Sequence, residues 1–392
     1  MFQRLLSDMA ILLATLLVYP AYGISQMQMN GSPAADSTAS ALALNGHAAV
    51  ATKPGSIRTY FIAADEVEWD YTPISTDGVG TPHAETGDDE SGAGQQHRVY
   101  HKAIYREYTD ATFRTLKPRP PQWEHLGLLG PLIRAEVGDS IRVFFRNNTH
   151  LSVTMHPHGV LYKKDAEGAM YNDGTAGTVK KDDLIAPGGT FTYLWTVPER
   201  SGPAAMDGTS VLWMYHSHFV ESTDINTGLV GPIIVVAKGM ARPDGTPKDV
   251  DREFIVDFSI FDETDSWFFE GNAGKLGRQA RLKAINPMLR EQNMMYSLNG
   301  FIKGNIPMLT MHRGEHVRWY LLSNSNEEDI HMAHWHGNTV VSNKMRTDTV
   351  FVGPMGMATA DMIPDNEGTW LFHCHVNDHF MGGMMGRYEV LP

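Results

Sequence analysis

Cysteine is almost absent: Cys374 is the only one in 392 residues. A lone thiol excludes any disulfide within the chain, so no covalent staple holds this fold. Long apolar runs are missing too. The longest, Met9 to Val18, falls far short of the roughly 20 residues that a membrane-spanning helix needs, so no membrane span is expected. Positive charge is in deficit, with 32 Lys and Arg against 45 Asp and Glu for a net of -13. That balance argues against nucleic acid as a partner and suits the attraction of cations. No long segment repeats apolar residues at the helical 3.6 period, which leaves strands as the building material.

Histidine is what the chain has in quantity: 18 of them, ten gathered with Cys374 into four short clusters. His156 and His158 form the first, and His216 and His218 the second. His331, His334 and His336 form the third. The fourth holds His373, Cys374, His375 and His379, with Met384 following. On a strand, residues i and i+2 point to one side and the residue between them to the other. Each His-x-His pair therefore aims two imidazoles in one direction. In the fourth cluster the residue between is Cys374, so one strand offers His373 and His375 to one metal site and Cys374 to another behind it. Imidazole suits copper, and a thiolate with histidines and a weak methionine sulfur describes a blue-copper electron-transfer site. One such pair alone would equally be polar residues at a sheet rim.

Residues 1–23 read as a secretory signal: Arg4, the short apolar run, then small residues around Ala21 and Gly23. Export to a periplasm or the cell exterior is the expectation. Residues 24–56, rich in Ala, Ser, Gly and Thr, read as a disordered linker. Beyond them one pattern occurs twice. Pro131 to Asn148 and Pro307 to Asn324 each place a Gly-acidic turn (Gly138-Asp139, Gly314-Glu315) between runs of alternating apolar residues, as in paired strands. Both lead to an His-x-His-Gly, at Gly159 and Gly337, and later to a second His-x-His and a last apolar strand, Pro232 to Ala237 or Arg387 to Leu391. An internal duplication of an all-β sandwich unit follows, over residues 57–240 and 250–392, joined by a connector near 239–251.

At these residues the chain resembles the multicopper oxidases. Strings such as Tyr60 to Tyr71, Tyr105 to Asp110 and His158 to Lys164 are similar to the ceruloplasmin and hephaestin branch. The resemblance runs from about Ile57 to the C-terminus and implies two tandem cupredoxin-like Greek-key β-sandwich domains. It implies four copper ions per active unit. His331, Cys374, His379 and Met384 would hold type 1 copper, and His156 and His334 type 2 copper. His158, His216, His218, His336, His373 and His375 would hold the type 3 pair. The first domain lacks a type 1 site, since Val153 stands where His331 aligns and Ser217 replaces the cysteine. Each domain then supplies half of a trinuclear cluster. By resemblance to small two-domain oxidases, that implies a homotrimer with clusters at subunit interfaces.

The reaction implied is oxidation of a donor at type 1 copper coupled to reduction of dioxygen to water. In the ferroxidase branch carboxylates hold iron beside that copper, and Glu291, Glu327 and Asp378 match them here, while Tyr296 stands in place of an iron-binding histidine. Fe(II) is the expected donor. Small phenols or aromatic amines, as in laccases, are the alternative. Cu(I) is a further one, since Met294, Met295, Met355, Met357, Met381 and Met385 join Met384 in this half, although methionine is also common core filler. Lys164, Val179, Asp182 and Asp183 match a calcium site of the first ceruloplasmin-type domain; a solvated acidic turn is the equal alternative. Asp165 and Glu167 stand close enough to the first cluster to relay protons. Two rivals remain. Copper nitrite reductase needs its type 1 cysteine in the first domain, which Cys374 is not. A non-enzymatic binding scaffold, as in the related clotting-factor domains, fits poorly with a complete ligand set.

Overall fold

The computed structural model describes residues 55–74, 98–272, 287–324 and 330–392. The expected leader and all but the last two residues of the expected linker lie outside the described residues. Nineteen strands and a few short helices make up the rest, and the longest of these helices, Glu221–Thr227, has only 7 residues. No helix among the described residues is long and apolar enough to cross a membrane.

Eight strands build the first half: β1 (Ile57–Asp70), β2 (Val99–Glu107), β3 (Ile133–Glu136), β4 (Ser140–Asn147), β5 (His156–Pro157), β6 (Thr190–Thr196), β7 (Ser210–His216) and β8 (Val230–Val236). They form two four-stranded sheets, ordered β2-β1-β4-β6 and β3-β8-β7-β5. The second half follows with β9 (Arg252–Asp262), β10 (Met294–Leu298), β11 (Leu309–His312), β12 (Val317–Leu322), β13 (His331–Trp335) and β14 (Val340–Ser342). It closes with β15 (Met345–Thr347), β16 (Thr349–Val352), β17 (Met357–Met362), β18 (Gly368–Cys374) and β19 (Met385–Leu391). Here the sheets are ordered β10-β9-β12-β17-β14-β15 and β11-β19-β18-β13-β16.

The repeated Gly-acidic turn does something other than pair its flanking strands. β3 runs parallel to β8, while β4 runs parallel to β1 in the opposite sheet. In the second half β11 likewise joins β19 and β12 joins β9. Each turn is a corner where the chain crosses between the two layers of a sandwich. Alternation reports which face of a strand is buried, and a strand buries its inner face equally well in either layer. The acidic residue closes the corner: Asp139 accepts from Ser56 N at 2.7 Å and Arg58 Nε at 2.8 Å, and Glu315 accepts from His312 N and Arg252 Nε, both at 2.8 Å.

Each half has its own apolar core, around Val143, Trp195 and Ile233 in the first and Trp319, Trp335 and Phe372 in the second. Burying such a side chain stabilises the fold by about 1.5–3 kcal/mol. A further cluster spans the halves, with Leu212, Met214 and Ile234 against Ile255, Tyr320 and Leu322. Polar ties surround it. Arg318, 1% exposed, forks onto Asp361 at 2.7 and 2.9 Å and reaches Thr209 and Ser210, both at 2.8 Å. Lys102 pairs with Glu263, both fully buried, and Tyr71 donates to the same carboxylate at 2.5 Å.

Candidate metal centres

Three sets of side chains converge. At the end of β18, Cys374 turns its thiol into the second core, where Sγ lies 3.6 Å from His379 Nδ1 and 3.9 Å from His331 Nδ1. The two Nδ1 atoms stand 3.2 Å apart, closing a triangle. His331 comes from β13 and His379 from the helix Asn377–Gly382 that follows β18. Met384 is buried just beyond, and its carbonyl accepts from Cys374 N at 3.0 Å. Burial pushes the Cys374 thiol above its ordinary value. Burial, helped by the facing His379, drives His331 down to about 3, so its imidazole is neutral and able to bind a metal near neutral pH. His331 Nε2 is buried without a partner.

The other face of β18 carries the second set. His373 Nε2 meets His336 Nε2 at 3.1 Å, and the rings of His334 and His375 complete the group at centroid distances of 4.8 to 5.6 Å. The first half repeats the arrangement. His158 Nε2 meets His216 Nε2 at 2.9 Å, with His156 and His218 around them at 5.1 to 5.6 Å. Backbone carbonyls set the tautomers. His156 donates from Nδ1 to Glu167 O at 2.7 Å and His334 to Asp348 O at 3.0 Å. His216 donates to Ser217 O at 3.0 Å and His373 to Cys374 O at 2.7 Å. Holding the proton on Nδ1 leaves the Nε2 lone pairs converging on a common point. Burial lowers His156 and His216 and takes His158 and His373 down to about 4, so these rings stay neutral.

The donor chemistry suits copper in all three places: converging imidazoles in the two half-sites, and a His, His and Cys set with a neighbouring methionine in the third. Three groups qualify as metal-binding by mutual distance: His156, His158 and His216; His334, His336 and His373; and His331, Cys374 and His379. Among the described residues no such group mixes the imidazoles of the two halves.

The carboxylates matched to a donor site are placed as follows. Glu291 ends the short helix Pro287–Glu291 and accepts from Tyr296 OH at 3.0 Å, and the Tyr296 ring lies 5.7 Å from that of His379. Asp378 is exposed beside His379, and Glu327 lies outside the described residues. Met295 and Met385 are buried and Met294, Met355 and Met357 pack against cores, which leaves Met381 as the exposed sulfur of that group. Of the matched calcium residues, Asp182 is buried; its Oδ2 accepts from Gly168 N at 2.8 Å, while Oδ1 has no partner. Asp183 pairs with Lys180 at 2.8 Å, and Lys164 with Glu167 and Asp173. The Glu167 side chain is thus committed to Lys164 and Tyr171, and it is its carbonyl that serves His156.

Sequence reasoning missed two residues at these centres. Glu221 places carboxylate oxygens 3.4 Å from His218 Nε2 and 3.9 Å from His216 Nε2; its position three residues after His218 was the available signal. Asp348, whose carbonyl orients His334 from the link between β15 and β16, carries no local signal.

Thiol and imidazole donors on paired β-sandwiches fit a copper protein. Sequence profiles described as multicopper oxidase match both halves, over residues 125–239 and 278–392, and the chain belongs to the multicopper oxidases. It is 40% identical over 345 residues to "Ferroxidase HEPHL1" of Mus musculus, covering 85% of this chain and 29% of that protein. It is 41% identical over 342 residues to ceruloplasmin of Rattus norvegicus, covering 85% and 32%. The chain thus spans about a third or less of the curated relatives it matches. The fold is also that of the blue copper oxidase from Nitrosomonas europaea (TM-score 0.55, 20% identity, 86% of each chain).

Proposed function

We propose that this chain is a copper-dependent oxidase that takes single electrons from Fe(II) and delivers them to dioxygen, yielding water. The observation that carries the reading is the placement of His373 and Cys374 on opposite faces of β18, so that the thiolate centre and a cluster half-site share one strand. Two domains, 57–240 and 250–392, divide the work. His331, Cys374, His379 and Met384 hold type 1 copper. His156 and His334 hold type 2 copper, and His158, His216, His218, His336, His373 and His375 the type 3 pair. Four bound coppers would supply one-electron acceptance from the donor and four-electron reduction of dioxygen. The protein's part is to keep His156, His158, His216, His331, His336 and His373 neutral by burial, to fix the tautomers of His156, His216, His334 and His373 through backbone carbonyls, and to bury the Cys374 sulfur away from water. Glu221 is close enough to His216 and His218 to hold a proton beside the first half-site.

Each cluster is closed by the opposite half of a neighbouring copy, and we place three copies in a ring. Asp182 Oδ1, buried and unpartnered, supports the calcium site with Lys164, Val179 and Asp183, where the ion would displace the Lys180 ammonium. The leader directs the chain out of the cytoplasm.

For the donor, Glu291, Asp378 and Glu327 supply the hard oxygen ligands that iron prefers. Tyr296 favours a second reading, since a phenol bonded to Glu291 beside His379 equally suits a small aromatic donor. Oxygen uptake by copper-loaded protein, with Fe(II) and a phenol compared above the autoxidation blank, separates them. Saturable uptake with iron that collapses in Glu291→Ala and Asp378→Ala supports the ferroxidase. Uptake with the phenol alone makes those carboxylates bystanders.

A further inference from the structure

The first half keeps the frame of the thiolate centre without its ligands, and the hydrogen bonds show which residues took their places. Met332 N donates to Cys374 Sγ at 3.5 Å, and Thr154 N donates to Ser217 Oγ at 3.0 Å. Val153 and Ser217 therefore stand for His331 and Cys374. Cys374 N donates to Met384 O at 3.0 Å, and Ser217 N to Leu229 O at 3.1 Å, so Leu229 stands for Met384. The helices Asn377–Gly382 and Glu221–Thr227 both end on a left-handed glycine, Gly383 at φ 115° and Gly228 at φ 118°. Their capping amides bond back to His379 O in one and Asp224 O in the other. Asp224 is the counterpart of His379.

Asp224 is fully buried. Its Oδ2 accepts from Ser217 Oγ at 2.6 Å and from Phe219 N and Val220 N at 3.0 Å each. Its Oδ1 accepts from Trp267 Nε1 at 2.8 Å. Trp267 belongs to the second half, whose segment 263–267 docks on this helix: Trp267 N donates to Thr227 Oγ1 at 3.0 Å, and Asp265 accepts from the Ser222 and Thr223 hydroxyls at 2.5 and 3.1 Å. Four donors on one buried carboxylate make a rigid node, since both of its oxygens are held by hydrogen bonds from two separate segments, 217–220 and Trp267. The node grips the chain at Ser217, between His216 and His218, and again just after them.

We infer that Asp224 is a positioning residue for the first half-site: its carboxylate does with hydrogen bonds what a metal does in the second half, holding the His216–Ser217–His218 strand end so that both imidazoles keep their aim. The inference rests on the copper reading above. It also makes the first half-site depend on the second half of the same chain, through Trp267.

The test is copper titration of the full chain as wild type, Asp224→Asn and Trp267→Phe, read by bound copper, by the near-ultraviolet absorption of the paired coppers and by the blue absorption of the Cys374 centre. Copper affinity of the cluster falls about 10- to 100-fold in Asp224→Asn, with its near-ultraviolet signal, while the blue band stays. Trp267→Phe, which removes one bond and keeps the carboxylate, shows a smaller loss of the same kind. Equal cluster affinity in wild type and both variants would overturn the positioning role alone. A cluster signal absent from wild type would overturn the copper reading with it. Should Asp224→Asn fail to fold, Trp267→Phe decides: unchanged cluster affinity in that folded variant rejects the inference.

Discussion

His373 Nδ1 donates to the carbonyl oxygen of Cys374 at 2.7 Å, while the Cys374 thiol turns to the opposite face of the same strand. The thiolate centre and the second half-site are thus joined twice, by the backbone and by this hydrogen bond. The first half builds the same contact from His216 to Ser217 O at 3.0 Å.

Ser217 shows that serine fits this strand position, so Cys374→Ser should fold. It should lose the blue absorption and bind one copper fewer per chain, with oxygen uptake falling to the blank. Retained uptake without the blue band would remove Cys374 from the electron path.

Gly159 and Gly337 follow their His-x-His pairs with φ of +74° and +76°, and a Cβ there would meet the indoles of Trp213 and Trp370 at 2.0 and 2.5 Å. Alanine at either place should cost about 1–3 kcal/mol in backbone strain before any clash is counted. Thermal unfolding of the metal-free protein reads this directly; a midpoint within error of wild type would show that the turn can relax.

Burial opposes ionisation of Asp361, but the Arg318 fork and His316 outweigh it and hold the carboxyl at about 2, below its ordinary 3.8. A depressed carboxylate contributes stability above the ordinary value and loses it as pH falls through the folded value, so this contribution fades from about pH 4 to 2. Asp361→Asn takes the two-pronged carboxylate from the buried Arg318, which keeps Asp249 at 3.7 Å and the Thr209 and Ser210 hydroxyls, and should cost about 1.5–3 kcal/mol. Urea unfolding at neutral and acid pH tests both statements: the variant should have a lower midpoint at pH 7 and a flatter acid limb.

The proposed ring of three copies should appear as a particle of three chains in light scattering. A monomer that displays the full near-ultraviolet signal of paired coppers would sink the shared-cluster arrangement.

Much of the site was legible early because its signals are local. His-x-His on a strand aims two rings one way whatever the fold around it, and an intervening Cys374 or Ser217 must face the other way. The repeated glycine after each pair was visible for the same reason. The pairing of strands across Gly138 and Gly314 was misread, since a corner and a hairpin leave the same alternation. Asp348 and Trp267 were invisible: their hydrogen bonds reach residues 14 to 43 positions away, and no spacing rule reaches that far.

The sequence by itself determined the donor chemistry, the strand-based architecture and the duplication, all consequences of side-chain type and short-range geometry. Tertiary structure alone decided which sheet each strand joined, and that a carboxylate and an indole, Asp224 and Trp267, stand in the first half where the second has His379 beside its thiol. Those choices depend on hydrogen bonds and packing between distant segments, whose partners exist only once the two halves have docked.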